Sequence, residues 1–285
     1  MSGPERRRLD RLLVERGLAT SRQQAAALVA AGQVTVGGAP ADKAARLVAR
    51  GEPIEVLGPG PRYVSRGGEK LEAGLAAFAV PVEGARVLDA GASTGGFTDC
   101  LLQRGAASVV AVDVGHGQLH ERLRRDPRVI CHERCDIRSL TLELLGGAPV
   151  DVVVADLAFI SATRAVPVLV GTALAPGGHL VVLVKPQFEA GRAEVSRGRG
   201  VVTDPEVHRR ALVAVASSLV DHGAVIMGVM PSPITGASGN VEFLVHARRA
   251  LGGGAGPGPG PASVAALVDA AVTAVHGAGP SAEGR

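Results

Sequence analysis

From Gly84 onward the chain repeats one pattern, a short continuous apolar run followed by a helical segment. The runs are Arg86–Asp89, Ser108–Asp113, Arg128–Ile130, Val150–Asp156 and His179–Lys185. A strand that is apolar at successive positions has no solvent face, so it must be buried on both sides. That situation arises in parallel sheets covered by helices. The pattern predicts an α/β domain with a doubly wound, mostly parallel, Rossmann-like sheet. Two later runs, Ala224–Val229 and Val241–His246, are expected to add strands joined by the loop Pro231–Gly239. Gly252–Pro261 reads as a flexible spacer before an apolar helix, Ser263–Val275, whose docking place the sequence does not specify.

Residues 5–60 follow a different pattern and read as a small α+β domain. Leu9, Leu12, Leu13 and Val14 share one face of a first helix, and Thr20 or Ser21 is placed to cap a second helix through Ala31. Strands are expected over 32–37 and 52–57, around a glycine turn. A chain of 285 residues suits one small and one medium domain. The boundaries expected are a linker at 61–64, a second domain at 65–250, and the spacer and last helix at 251–285.

The net charge of +3 permits a polyanionic partner without requiring one. Its distribution is more informative, because Arg6, Arg7, Arg8, Arg11, Arg16 and Arg22 face only Glu5, Asp10 and Glu15 among the first 25 residues. Three cysteines make no disulfide framework and the N-terminus lacks a signal-peptide pattern, so a reducing cytoplasm is expected. The longest apolar stretch, Val166–Val184, is broken by Pro176–His179. It reads as helix, turn and buried strand rather than a membrane span.

The strongest chemical signal is Val87–Phe97, a strand that ends in a glycine-rich turn and opens a helix. Its spacing is Gly91-x-x-x-Gly95-Gly96 after Asp89, unlike the G-x-G-x-x-G of a dinucleotide fold. The next strand ends in Asp113, placed to accept the two hydroxyls of a ribose. A nucleoside ligand without a pyrophosphate fits best, and S-adenosylmethionine is the commonest. Asp156 and Lys185 also end strands, at the carboxyl edge of the sheet where α/β ligands bind. Pro186 stops the strand at Lys185, and a lysine there is costly unless paired or used. Taken singly, Lys70 and Glu242 read as solvated charges. Cys131, His132 and Cys135 lack a second ligand pair at zinc spacing, so no metal is expected. His208, Arg209 and Arg210 read as a solvated helix face, and Phe97, Phe159 and Phe188 as core.

These residues carry a resemblance. The runs Tyr63–Lys70, Asp89–Thr98, Asp113–Gln118, Ala155–Ser161, Val184–Glu189 and Gly236–Glu242 closely resemble the TlyA (haemolysin A) family. Its members are S-adenosylmethionine-dependent ribosomal RNA methyltransferases that modify the 2′-hydroxyl of cytidine, with an FtsJ-like catalytic domain. The resemblance implies a Lys-Asp-Lys-Glu tetrad at Lys70, Asp156, Lys185 and Glu242. Lys185 would deprotonate the hydroxyl, Asp156 and Glu242 would orient Lys185, and Lys70 would hold the nucleotide. It implies cofactor contacts from Asp89, Gly91, Ser93, Thr94, Gly95, Gly96, Phe97, Asp113, Asp136 and Asp156. The N-terminal unit is similar to the family's ribosomal-protein-type RNA-binding domain, with Leu9–Val14 and Ser21–Ala25 as its signatures and Arg8, Arg22 and Lys43 on the RNA side. The implied partners are ribosomal RNA or the small or large ribosomal subunit, with the enzyme a cytoplasmic monomer and no membrane or metal involved. Two positions depart from the family: His116 stands where Tyr is common, and Pro61–Val64 replaces an Arg-x-Trp-Val pattern. Tyr63 in that linker either packs on the catalytic domain or is a surface residue of a passive tether. The family's haemolysin name raises a cytolysin reading, which would require a membrane-active segment or a secretion signal. A non-catalytic assembly factor would have no need of the complete tetrad.

Overall fold

The first helix closes over the core through Leu9, Leu12 and Leu13, the apolar face read from the sequence, and all three are buried with Ala25, Val29, Val34 and Val48. The coordinates are a computed structural model that describes residues 5–19, 22–58, 61–191, 198, 200–236, 238–251 and 261–277. Two units result, 1–68 and 69–285. The first contains β1 (Arg6–Arg8), α1 (Leu9–Glu15), α2 (Arg22–Ala30), β2 (Val34–Val36), β3 (Ala39–Pro40), β4 (Leu47–Ala49) and β5 (Ile54–Val56). β2 lies between β3 and β5, and β1 pairs antiparallel with β4. Three consecutive arginines show no alternation, so the β1 ladder had no signal in the sequence. The proposed caps of α2, Thr20 and Ser21, lie outside the described residues, as does the spacer at 252–260.

Helix α3 (Gly67–Ala77) starts at the end of the first unit and continues into the second. Then follow β6 (Arg86–Ala90), α4 (Gly96–Gln103), β7 (Ser108–Val112), α5 (Glu121–Arg124), β8 (Val129–His132), β9 (Val150–Ala155), α6 (Val166–Val168), β10 (Leu174–Val184), α7 (Pro186–Glu189), α8 (Pro205–Asp221), β11 (Ala224–Pro231), β12 (Phe243–Arg249) and α9 (Pro261–His276). The strands form one sheet in the order β11-β12-β10-β9-β6-β7-β8. The five from β10 to β8 are parallel, and β12 inserts antiparallel between β10 and β11. Residues 87–90, 152–155 and 180–184 are all buried, as their continuous apolar character requires.

Strand β10 begins at Leu174, earlier than the turn expected at Pro176–His179. Leu174 pairs with Val150, the register then shifts, and pairing resumes at His179 with Val152, so the Pro-Gly-Gly segment is an irregularity within the strand. On α8, Val207, Ala211, Leu212, Val215, Ala216 and Leu219 form the buried stripe, and Asp204 caps it by accepting from the Glu206 amide at 2.8 Å. Helix α9 docks on α8 and β11: Val268, Ala271 and Val272 join the core, and Arg209 pairs with Asp269 at 2.7 Å. No helix among the described residues is long and apolar enough to cross a membrane.

Candidate active site

Four strand ends bring the chemistry together at the carboxyl edge of the sheet. β6 delivers Asp89 and the glycine turn, and the Ala90 carbonyl accepts the Asp156 amide at 2.9 Å just beyond β9. Val184 pairs with Phe243, which places Lys185 and Glu242 at the next opposed positions of β10 and β12. Lys185 Nζ lies 2.6 Å from Asp156 Oδ1. The two meet as an ion pair without hydrogen-bond alignment, since that oxygen is buried with no hydrogen-bond partner. Lys70, from α3, holds Glu242 Oε2 at 2.5 Å, and both side chains are buried. The site thus contains two lysine–carboxylate pairs. Glu242 engages Lys70, whereas the sequence reading had it orient Lys185. Burying an ion pair costs desolvation that the attraction often does not recover, so such pairs are weak devices for stability.

Beside Asp156 and Lys185 opens a cavity of about 390 Å³, within the range of small-ligand sites. Gly91, Ser93, Asp113 and Asp136 line it together with that pair. Asp113 is oriented by two backbone amides, Ser93 N to Oδ2 at 2.8 Å and Gly115 N to Oδ1 at 2.7 Å. A carboxylate oxygen can accept more than one hydrogen bond, so both remain able to take ribose hydroxyls. Asp136 caps a short turn and is held at about 2 by its bond to the Arg138 guanidinium, which keeps it ionised at neutral pH. A Cβ at Gly91 would stand 2.5 Å from the Asp156 carbonyl oxygen, so this turn tolerates only glycine against β9.

The other expected cofactor residues, Asp89, Thr94, Gly95, Gly96 and Phe97, are not among those that line the cavity. Gly95 and Gly96 open α4, with Gly95 at φ +99° against Leu123 and Leu119, so glycine is needed there for backbone conformation and helix packing rather than ligand approach. Thr94 is exposed and its carbonyl takes the His120 amide, while Phe97 is buried. Asp89 is fully buried; Thr98 donates to its Oδ2 at 2.6 Å, and its Oδ1 has no partner. Burial pushes its carboxyl up to about 7, with the negative Asp156 and Asp113 adding to the shift. A ribose acceptor, a turn that only glycine fits and the carboxylates of Asp136 and Asp156 along the cavity suit S-adenosylmethionine, a nucleoside that carries positive charge. The loop Leu157–Ile160 and Gln118 complete the cavity. Gln118, which Ser93 Oγ meets at 3.2 Å, was visible in the sequence only as part of the run after Asp113.

Several expectations are corrected. His208 is buried and not on a solvated face: Val202 O and His276 Nε2 each lie 3.0 Å from its ring nitrogens, and Phe243 meets it edge-on. Phe159 is not core, being 88% exposed at φ +68°, with the Phe188 ring 5.8 Å away. Of the two readings left open for Tyr63, the surface one does not hold: it is 3% exposed, and a Cβ on Gly68 would fall 2.3 Å from its ring. His116 pairs with Glu133 at 2.8 Å. Among the described residues, no three His, Cys, Asp or Glu side chains are grouped to hold a metal ion. In the first unit, Arg8 and Arg22 both donate to Asp10, and Lys43 is exposed beside Ala44, whose carbonyl accepts the Asp10 amide.

Fold and site define a Rossmann-like methyltransferase domain preceded by a small RNA-binding domain. Residues 63–249 match the model of the FtsJ-like methyltransferase family, and residues 7–54 match the S4 domain. The chain belongs to the TlyA family of FtsJ-like methyltransferases. It is 52% identical over 244 residues to the 16S/23S rRNA (cytidine-2'-O)-methyltransferase TlyA of Mycobacterium tuberculosis, covering 85% of this chain and 90% of that protein. It is 40% identical to hemolysin A of Brachyspira hyodysenteriae over 84% of this chain and 98% of the relative. A solved structure from Streptococcus thermophilus described as a hemolysin superposes with a TM-score of 0.73 at 38% identity, covering 96% of this chain and 98% of that one.

Proposed function

We propose that this protein transfers a methyl group from S-adenosylmethionine to the ribose 2′-hydroxyl of cytidine in ribosomal RNA. The observation that carries this reading is the Lys185–Asp156 pair at the wall of a cavity that also presents Asp113. The identity to a methyltransferase that acts on cytidine 2′-oxygens supports the substrate. When bound, the cofactor supplies a methyl group already activated on sulfonium, so the chain has to position the hydroxyl and ease loss of its proton. Asp113 and Asp136 hold the adenosine. Lys185 contacts the 2′-hydroxyl and accepts its proton as a free amine, and the Asp156 carboxylate 2.6 Å away stabilises the ammonium so formed. Glu242 holds Lys70 in place to grip the target nucleotide. The S4 domain supplies affinity for RNA through Arg8, Arg22 and Lys43, and ribosomal substrates put the enzyme in the cytoplasm.

Lys185→Ala tests the assignment. Single-turnover methylation of ribosomal subunits should fall by at least about a hundredfold, the scale lost when a positioned proton-transfer group is removed. RNA affinity should stay within about twofold, because a single interior contact is removed and the S4 domain is untouched. Near-normal methylation by this variant would reject the role of Lys185.

A further inference from the structure

In the first unit one carboxylate receives two guanidiniums. The Asp10 side chain is only 5% exposed at the start of α1. Arg8 Nε donates to Oδ1 at 3.1 Å and Arg8 Nη2 to Oδ2 at 3.0 Å. Arg22 Nε and Nη2 donate to Oδ2 at 3.2 and 2.8 Å. Three of the four donors converge on Oδ2 and one on Oδ1, so both guanidiniums are held by a single carboxylate. The Asp10 amide is tied to the Ala44 carbonyl at 2.9 Å, which brings the loop bearing Lys43 to the same corner. Burial of Asp10 contrasts with the arginines, whose side chains stay 43% and 53% exposed. Each uses Nε and Nη2 on Asp10, so Nη1 is not among the donors to that carboxylate. The hydrogen bond from Arg8, joined by that from Arg22, holds the Asp10 carboxyl at about 2, so the three charges coexist at neutral pH.

We propose that Asp10 is a positioning residue that converges Arg8 and Arg22 into one phosphate-binding site, an inference that rests on reading those arginines as RNA contacts. The triad has a net single positive charge, which matches one phosphodiester. The rotamer entropy of two long side chains is surrendered on folding rather than on binding, so the RNA meets a preformed pair of forks. Arginine suits this arrangement because its planar group bonds a carboxylate with one edge and a phosphate with another, which a lysine ammonium does not.

The proposal makes a prediction opposite in sign to simple electrostatics. Asp10→Asn removes a negative charge from a polyanion-binding surface, and on charge alone it should bind RNA more tightly. Positioning predicts the reverse: full-length Asp10→Asn binds purified ribosomal subunits about tenfold more weakly, as expected for losing one charge-assisted contact. Cofactor affinity in the same preparation should be unchanged, and a thermal melt checks the first unit. Arg8→Lys, which keeps both the charge and Asp10, should weaken binding as much as Arg8→Ala, and it decides the matter if Asp10→Asn does not fold. Tighter or unchanged binding by folded Asp10→Asn, or wild-type binding by Arg8→Lys, overturns the proposal. If the Arg8→Ala, Arg22→Ala double variant binds normally, the RNA-contact reading itself fails, which is a distinct result.

Discussion

Asp89 sits fully buried beneath the glycine turn, with one oxygen on the Thr98 hydroxyl and the other unsatisfied. Burial moves its ionisation from the ordinary 3.8 to about 7. Between these values the folded state keeps a proton that the unfolded chain has released. Its contribution to stability therefore falls as pH rises from about 4 to about 7, and levels off above that. His246 works in the opposite sense: burial holds it at about 4 instead of 6.5, so stability is lost as pH falls through that window. The two oppose each other over nearly the same range, and a wild-type pH profile alone would hide both. Comparing thermal midpoints of Asp89→Asn and wild type from pH 4 to 7 isolates the first. The wild type should lose stability relative to the variant as pH rises, and parallel profiles would contradict the placement of Asp89. Gly91→Ala belongs to the same scale. A methyl group 2.5 Å from the Asp156 carbonyl oxygen must displace the turn from β9. Cofactor affinity by calorimetry should drop more than about tenfold, since misplacement near 1 Å already has large effects on aligned sites. Unchanged affinity would separate this turn from the pocket.

At the scale of elements, α9 joins the core although eleven residues, 250–260, separate it from β12. Val268 is fully buried there. Val268→Ala should cost about 2 kcal/mol, from two lost methyl groups and the cavity they leave, measured by denaturant unfolding. A change near zero would mean the helix is not docked. The parallel strands were legible because burial on both faces writes itself as unbroken Val and Leu runs. Asp113, Asp156 and Lys185 were legible because each ends such a run. Lys70 and Glu242 were not, since a pair joined across 172 positions carries no local periodicity, and only the family resemblance connected them. His208 misled because its neighbours Arg209 and Arg210 are polar, while helical spacing puts it on the buried face with Ala211, Leu212 and Val215, against His276 and Phe243. Phe159 misled because aromatic character favours the core on average, yet this loop holds it at positive φ in solvent. The start of β10 was obscured by Pro176 and the glycines after it, which the sheet accommodates as an irregularity.

For the whole molecule, the proposed tasks fall on different units. The first has an independent apolar core and the Asp10-centred arginines. The second contains the cavity and both lysine–carboxylate pairs. RNA affinity and methyl transfer should therefore be separable by mutation, with salt-sensitive binding assigned to the first and chemistry to the second. The most direct measurement of the central claim is to incubate the purified protein with methyl-labelled S-adenosylmethionine and intact small and large ribosomal subunits, digest the RNA, and locate the label by nucleoside mass spectrometry. The account predicts label on the ribose 2′-oxygen of cytidine, present with wild type and absent with Lys185→Ala. Label on a base or on protein, or no transfer to either subunit, would contradict it.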